Sequence, residues 1–119
     1  MPSRFTGGIN IAIKIPPHHF DATVDFYTRV LGLPVLNCSA DTVMIAYGPN
    51  RLHLDRVPTV SHAEVWLELV TPDIDEAAAH LHSHRVVRCD AIEALPEGFP
   101  GFWIASPAGT VTLITTPDA

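Results

Sequence analysis

The order strand, helix, three strands occurs in the first half of this 119-residue chain and begins again 54 positions later. From Gly8 to Ile15 the run Gly-Ile-Asn-Ile-Ala-Ile-Lys-Ile alternates with period two. That places Ile9, Ile11, Ile13 and Ile15 on one face of a strand and Asn10, Ala12 and Lys14 on the other. Pro16-Pro17 ends the strand. Phe20, Val24, Tyr27 and Leu31 then recur at helical spacing as the stripe of an amphipathic helix, and Gly32 stands where a helix end calls for a left-handed residue. Three short apolar segments follow, Pro34 to Asn37, Thr42 to Tyr47 and Arg51 to Val57, separated by the turn-formers Ser39-Ala40-Asp41 and Gly48-Pro49-Asn50.

The restart is a strand over Ala63 to Val70. Pro72-Asp73 then opens a helix with Glu76 placed as in a capping box, and Ile74, Ala77, Ala78 and Leu81 form its buried stripe. Further strands are predicted near Val86 to Cys89, Phe102 to Ala105 and Thr110 to Thr115. Sliding His19-Phe20-Asp21 onto Asp73-Ile74-Asp75 also brings Lys14-Ile15-Pro16 onto Glu68-Leu69-Val70 without a gap. The prediction is an α+β fold of two βαβββ units, about 5–58 and 62–117, in a single domain over 1–119. Their curved mixed sheets would carry the helices on the outer face, and the opposite faces would form a concave cup, where small-molecule sites tend to lie.

Length supports one domain, since two independent domains would each be too small to bury enough surface. Hydrophobic residues at 47% and charged residues at 17% make an ordinary globular balance, far from that of a disordered chain. The net charge of -6 opposes binding to nucleic acid, because no basic stripe is present to release counterions from a phosphate backbone. Met1-Pro2-Ser3-Arg4 does not open a signal peptide and no run of about 18 apolar residues occurs, so a cytoplasmic protein without membrane contact is expected. Cys38 and Cys89 lack the spacing of a redox dithiol or zinc knuckle and are expected to be free, buried thiols.

Ile11-Ala12-Ile13-Lys14-Ile15-Pro16, then Phe26-Tyr27 and Leu31-Gly32-Leu33, resemble the opening of many glyoxalase and bleomycin-resistance proteins of the vicinal oxygen chelate superfamily. Phe102-Trp103-Ile104-Ala105-Ser106-Pro107-Ala108-Gly109 is similar to that family's aromatic strand and Asp-Pro-Asp-Gly turn, with Ser106 and Ala108 in place of the acidic residues. Metal-dependent members hold a divalent ion in the cup through His, Gln or Glu on the first and last strands of each unit. The resemblance maps those positions to Ala12, Trp66, Leu113 and Leu54, none of which ligates a metal. A slip of one residue puts His53 or Asp55 in the place of Leu54, and an insertion in the first loop puts Asn10 in the place of Ala12. No metal is expected.

Two functions follow as expectations. One is a metal-free small-molecule binding protein resembling the drug-sequestering resistance proteins, with Trp66 and Trp103 as stacking residues and Glu64, Glu68, Lys14 and Asn10 as polar contacts. The two tryptophans equally fit a plain role as core or dimer contact, and the polar residues could simply pair with each other. The other is a glyoxalase-like lyase, isomerase or dioxygenase that recruits a divalent metal through His53 or Asp55 with His62 and Glu64. A third possibility is a collapsed cup and a domain that acts by association alone. His18 and His19, in the loop entering the first helix, and His80, His82 and His84, after the second, read as solvated surface. No nucleophilic triad or phosphate loop can be argued. The resemblance implies a homodimer.

Overall fold

The computed structural model describes residues 4–117. In chain order its elements are β1 (Thr6–Gly7), β2 (Asn10–Ile15), α1 (Pro17–Asp25), β3 (Val35–Cys38), β4 (Thr42–Tyr47), β5 (Asn50–Arg56) and β6 (Glu64–Val70). Then come α2 (Ile74–Ser83), β7 (Val87–Arg88), β8 (Gly101–Ala105) and β9 (Val111–Thr115). The fold is α+β with mixed strand pairing. No helix among the described residues is long and apolar enough to cross a membrane.

The chain divides into two compact units, one of Ile9–Trp66 and one of the residues through Gly8 together with those from Leu67 onward. In the first, the strand order is β3-β4-β5-β2. β2 and β5 are parallel, with Ile13 opposite Leu54 and Lys14 opposite Asp55, and β4 runs antiparallel to both of its neighbours. Residues Glu64 to Trp66 pair antiparallel to β2, which sets Trp66 opposite Ala12 and Glu64 opposite Lys14. In the second unit the order is β6-β9-β8-β7, with β6 and β9 parallel and β1 added on β6. Each unit therefore places its first strand parallel to its last, the repeat that the sequence predicts. A parallel pair needs a long connection, and in each unit the helix and two strands supply it.

The first core joins one face of the sheet to α1. Ile15, Val43, Ile45, Leu52 and Leu54 are buried with Phe20 and flanked by Ile11, Ile13, Val24 and Tyr27. Ile9 does not join them: β2 begins at Asn10 and Ile9 is exposed. Leu31 also leaves the predicted stripe and is 50% exposed. The cause is a π-helical turn over Phe26–Val30, closed by the Leu31 N–H donating to the Phe26 carbonyl at 3.0 Å. The wider turn rotates Leu31 off the face that Phe20 and Val24 share. Gly32 then takes the left-handed conformation, φ 73°.

In the second unit Ala77, Phe102, Ile104 and Ile114 are buried, with Ile74, Ala78 and Leu81 of α2 packed against them. Asp73 caps α2 as predicted, its carboxylate accepting from the Glu76 N–H at 3.0 Å. The turn after β8 forms without its acidic residues. The Ser106 hydroxyl accepts from the Thr110 N–H at 3.0 Å, and Gly109 supplies φ 88°. The strand expected over Val86 to Cys89 shrinks to Val87–Arg88, because Cys89 turns into a 3₁₀ turn over Asp90–Ile92.

Candidate functional site

Strand alternation in the Ile9–Trp66 unit commits Leu52 and Leu54 to the helix side, so His53 and Asp55 must face the other way. Residues directly opposite in register share a face. One row across the sheet therefore reads Thr42, Asp55, Lys14, Glu64, and the next reads Met44, His53, Ala12, Trp66. Leu54, the position first mapped for a last-strand ligand, is 0% exposed in the core. Asp55 opposite Lys14 corresponds to Leu113 opposite Glu68 in the second unit, so the one-residue slip is the correct register.

Lys14 is the only lysine of the chain, and it is 4% exposed. Its Nζ lies 2.7 Å from Asp55 Oδ2 and 4.4 Å from the centroid of the Trp66 ring. Burying an ammonium is costly unless it is paired, and here the carboxylate and the indole face supply partners. The second Asp55 oxygen accepts from the Thr42 hydroxyl at 2.9 Å. His53 Nε2 is 2.8 Å from Asn10 Oδ1, and the Trp66 indole N–H donates to Glu64 Oε1 at 3.2 Å. Trp66, Glu64, Lys14 and Asn10 thus stand together on one face. Asp55 and His53, the alternative ligand candidates of the sequence, stand with them, and Thr42 joins them unanticipated.

Trp103 and Glu68 belong to the second unit. Trp103 is 6% exposed and lies opposite Leu113, on the side of β8 away from Phe102 and Ile104. Its indole N–H donates to the Glu93 carbonyl at 3.0 Å, and its backbone N–H donates to Asp90 Oδ1 at 3.0 Å. The 3₁₀ turn after β7 therefore holds this ring in place. Glu68 has its side chain over Gly8, filling the space that a Cβ at that position would take.

Four expectations about titratable groups change. His62 precedes β6 and is exposed, so it does not share a strand face with Glu64, and its ring is 3.0 Å from the Ser61 hydroxyl. His80 and His82 lie in the last turn of α2 and His84 caps it. His80 and His84 share a helix face with ring centroids 4.6 Å apart. His18 and His19 form the first turn of α1 rather than a loop, and remain exposed. Cys38 is exposed on β3, and Cys89 is half-buried. Burial, and then the neighbouring Asp90 charge, raise the Cys89 thiol above its ordinary pKa.

The resemblance maps the metal-ligand positions to Ala12, Trp66, Leu113 and Leu54, with Asn10 as the alternative to Ala12 and His53 or Asp55 as the alternatives to Leu54. The strand register selects Asp55, while His53 and Asn10 engage each other at 2.8 Å. Alanine and leucine have no donor atom, the indole N–H only donates, and both oxygens of Asp55 are engaged by Lys14 and Thr42. This set does not fit a divalent ion. Nor do three or more His, Cys, Asp or Glu side chains gather as a candidate metal group among the described residues.

No family model matches the sequence, and no curated protein does. Solved structures do match in fold. The Mn(II)-bound glyoxalase from Novosphingobium aromaticivorans is 21% identical with a TM-score of 0.71. The match covers 97% of this chain and 40% of that one, so the chain spans less than half of that glyoxalase. Methylmalonyl-CoA epimerase from Mycobacterium tuberculosis is 15% identical with a TM-score of 0.67, over 98% of this chain and 91% of that one. A glyoxalase/bleomycin resistance protein/dioxygenase superfamily member from Vibrio splendidus 12B01 is 13% identical with a TM-score of 0.61, over 87% and 95%. At these identities the likeness speaks to architecture, and it establishes that this chain has the vicinal oxygen chelate fold.

Proposed function

We propose that the chain binds a small organic molecule on the sheet face turned away from α1, without a divalent metal there. The observation that carries this reading is the placement of Lys14. The one lysine is buried on that face between Asp55 and the Trp66 ring, which fixes the indole and the carboxylate there without a metal ion. Trp66, Glu64, Lys14 and Asn10 are its proposed contacts in the Ile9–Trp66 unit, and Trp103 and Glu68 are proposed to contact ligand on the sheet of their own unit. The net charge of -6 favours a neutral or cationic ligand through long-range steering. A homodimer and a cytoplasmic location belong to the same reading. Exposed Val35 and Leu36 on β3, the edge strand of its unit, are consistent with the dimer.

The test is a titration of chelator-treated protein with the cationic probe bleomycin, followed by calorimetry, with the polyanion methylmalonyl-coenzyme A as a control expected not to bind. Saturable bleomycin binding, weakened about tenfold by Trp66→Ala or Trp103→Ala, is the expected outcome. Binding unchanged in both variants, or no bleomycin binding, sinks the proposed contact set. Elemental analysis adds a second arm. Stoichiometric nickel, zinc, iron or manganese, or activity gained on adding one, would overturn the metal-free reading in favour of a lyase, isomerase or dioxygenase.

A further inference from the structure

The two helices of the repeat end in the same backbone conformation with different residues. After the first, Gly32 takes φ 73°, which glycine adopts freely. After α2, Arg85 takes φ 60°, and it is the only non-glycine residue with a positive φ among the described residues. The Arg85 and Val86 N–H groups donate to the His82 and Leu81 carbonyls, each at 3.0 Å, and so close the helix. An arginine kept where glycine would be unstrained invites a functional explanation.

Arg85 borders a cleft of about 510 Å³, within the range of small-molecule sites. The cleft opens where the β7–β8 ladder stops at the Val87–Ala105 pair. Its walls include Val86, Val87, Ile104 and Pro107, with His84 and Arg85 as its charged or titratable groups, and none of its lining residues is acidic. Arg85 and Arg51 have no ion pair or side-chain hydrogen bond among the described residues, whereas Arg4, Arg29, Arg56 and Arg88 all pair with carboxylates, and of the two only Arg85 borders this cleft. In a chain of net charge -6, a guanidinium at an apolar cleft with no ionic partner among the described residues has a definite chemical complement.

We infer that this cleft is a binding site for a small amphipathic monocarboxylate. The hydrocarbon part lies against Val86, Val87, Ile104 and Pro107, and the carboxylate takes the Arg85 guanidinium in paired hydrogen bonds. The site lies wholly in the second unit and does not depend on the face that carries Lys14 and Trp66.

The experiment uses octanoate below its micelle concentration, followed by amide chemical shifts and calorimetry on the whole chain. Saturable shifts are expected in residues 84–87 and 104–106. Arg85→Gly relieves the backbone and removes the charge, so it should weaken octanoate about tenfold or more without lowering Tm. Arg85→Lys should retain part of the affinity, and Trp66→Ala should leave it unchanged. Equal octanoate affinity in Arg85→Gly, no saturable binding to the wild type, or loss of binding in Trp66→Ala with Arg85→Gly unaffected would each overturn the inference. The last outcome would place the carboxylate on the other face and leave the function proposed for that face standing.

Discussion

Lys14 and Asp55 sit directly opposite each other on the parallel strands β2 and β5, with Nζ 2.7 Å from Oδ2. Removing one partner leaves the other charge buried without its counterion. Lys14→Met should cost about 3 kcal/mol in urea unfolding, while Lys14→Met with Asp55→Leu should recover much of that loss. A double-mutant cycle showing additive costs would mean that the pair does not stabilise the fold.

The Asp73 cap makes a smaller and local contribution. Asp73→Ala removes the acceptor for the Glu76 N–H and should destabilise the protein by about 1 kcal/mol. Asp73→Asn should retain most of the stability, with both variants read from denaturant midpoints at equal m-values.

Desolvation first, then the charges of Arg4 and His84, hold His80 below its ordinary pKa of 6.5, with Glu76 opposing. The folded protein therefore binds fewer protons than the unfolded chain between the lowered pKa and 6.5. The resulting stability is present above 6.5 and is lost as pH falls through the folded value. NMR titration should place the His80 midpoint below 6.5, and His80→Gln should flatten the pH dependence of Tm in that window. A midpoint at or above 6.5 would contradict this.

The two cysteines should separate in reactivity. Cys38 is exposed on an edge strand, whereas Cys89 is half-buried with its thiol pKa raised. Under native conditions at pH 8, iodoacetamide should label Cys38 first, and peptide mass spectrometry reads the order. Equal rates in urea serve as the control.

Much of the fold was legible because local chemistry and tertiary packing agree. The isoleucines from Ile11 to Ile15 alternate on a strand whose one face meets α1, Asp73 caps the helix it precedes, and Gly32 and Gly109 stand where the backbone turns left-handed. Leu31 broke the pattern because a π turn changed the helical phase, which a spacing rule of three and four cannot anticipate. The candidate site was only partly legible. Lys14 and Trp66 follow from strand parity, but their neighbour Asp55 comes from a strand 41 positions away in the parallel register.

The amino-acid sequence by itself determined the repeated strand, helix and three strands, and which face of each strand is apolar, because period and turn chemistry act over a few neighbouring residues. Only the tertiary structure decided that Asp55 rather than Leu54 stands beside Lys14, and that Arg85 ends a helix at an apolar cleft without an ionic partner among the described residues. Strand register and cleft shape depend on contacts between residues distant in sequence. A one-residue shift in register exchanges the two faces of a strand and leaves its local pattern unaltered.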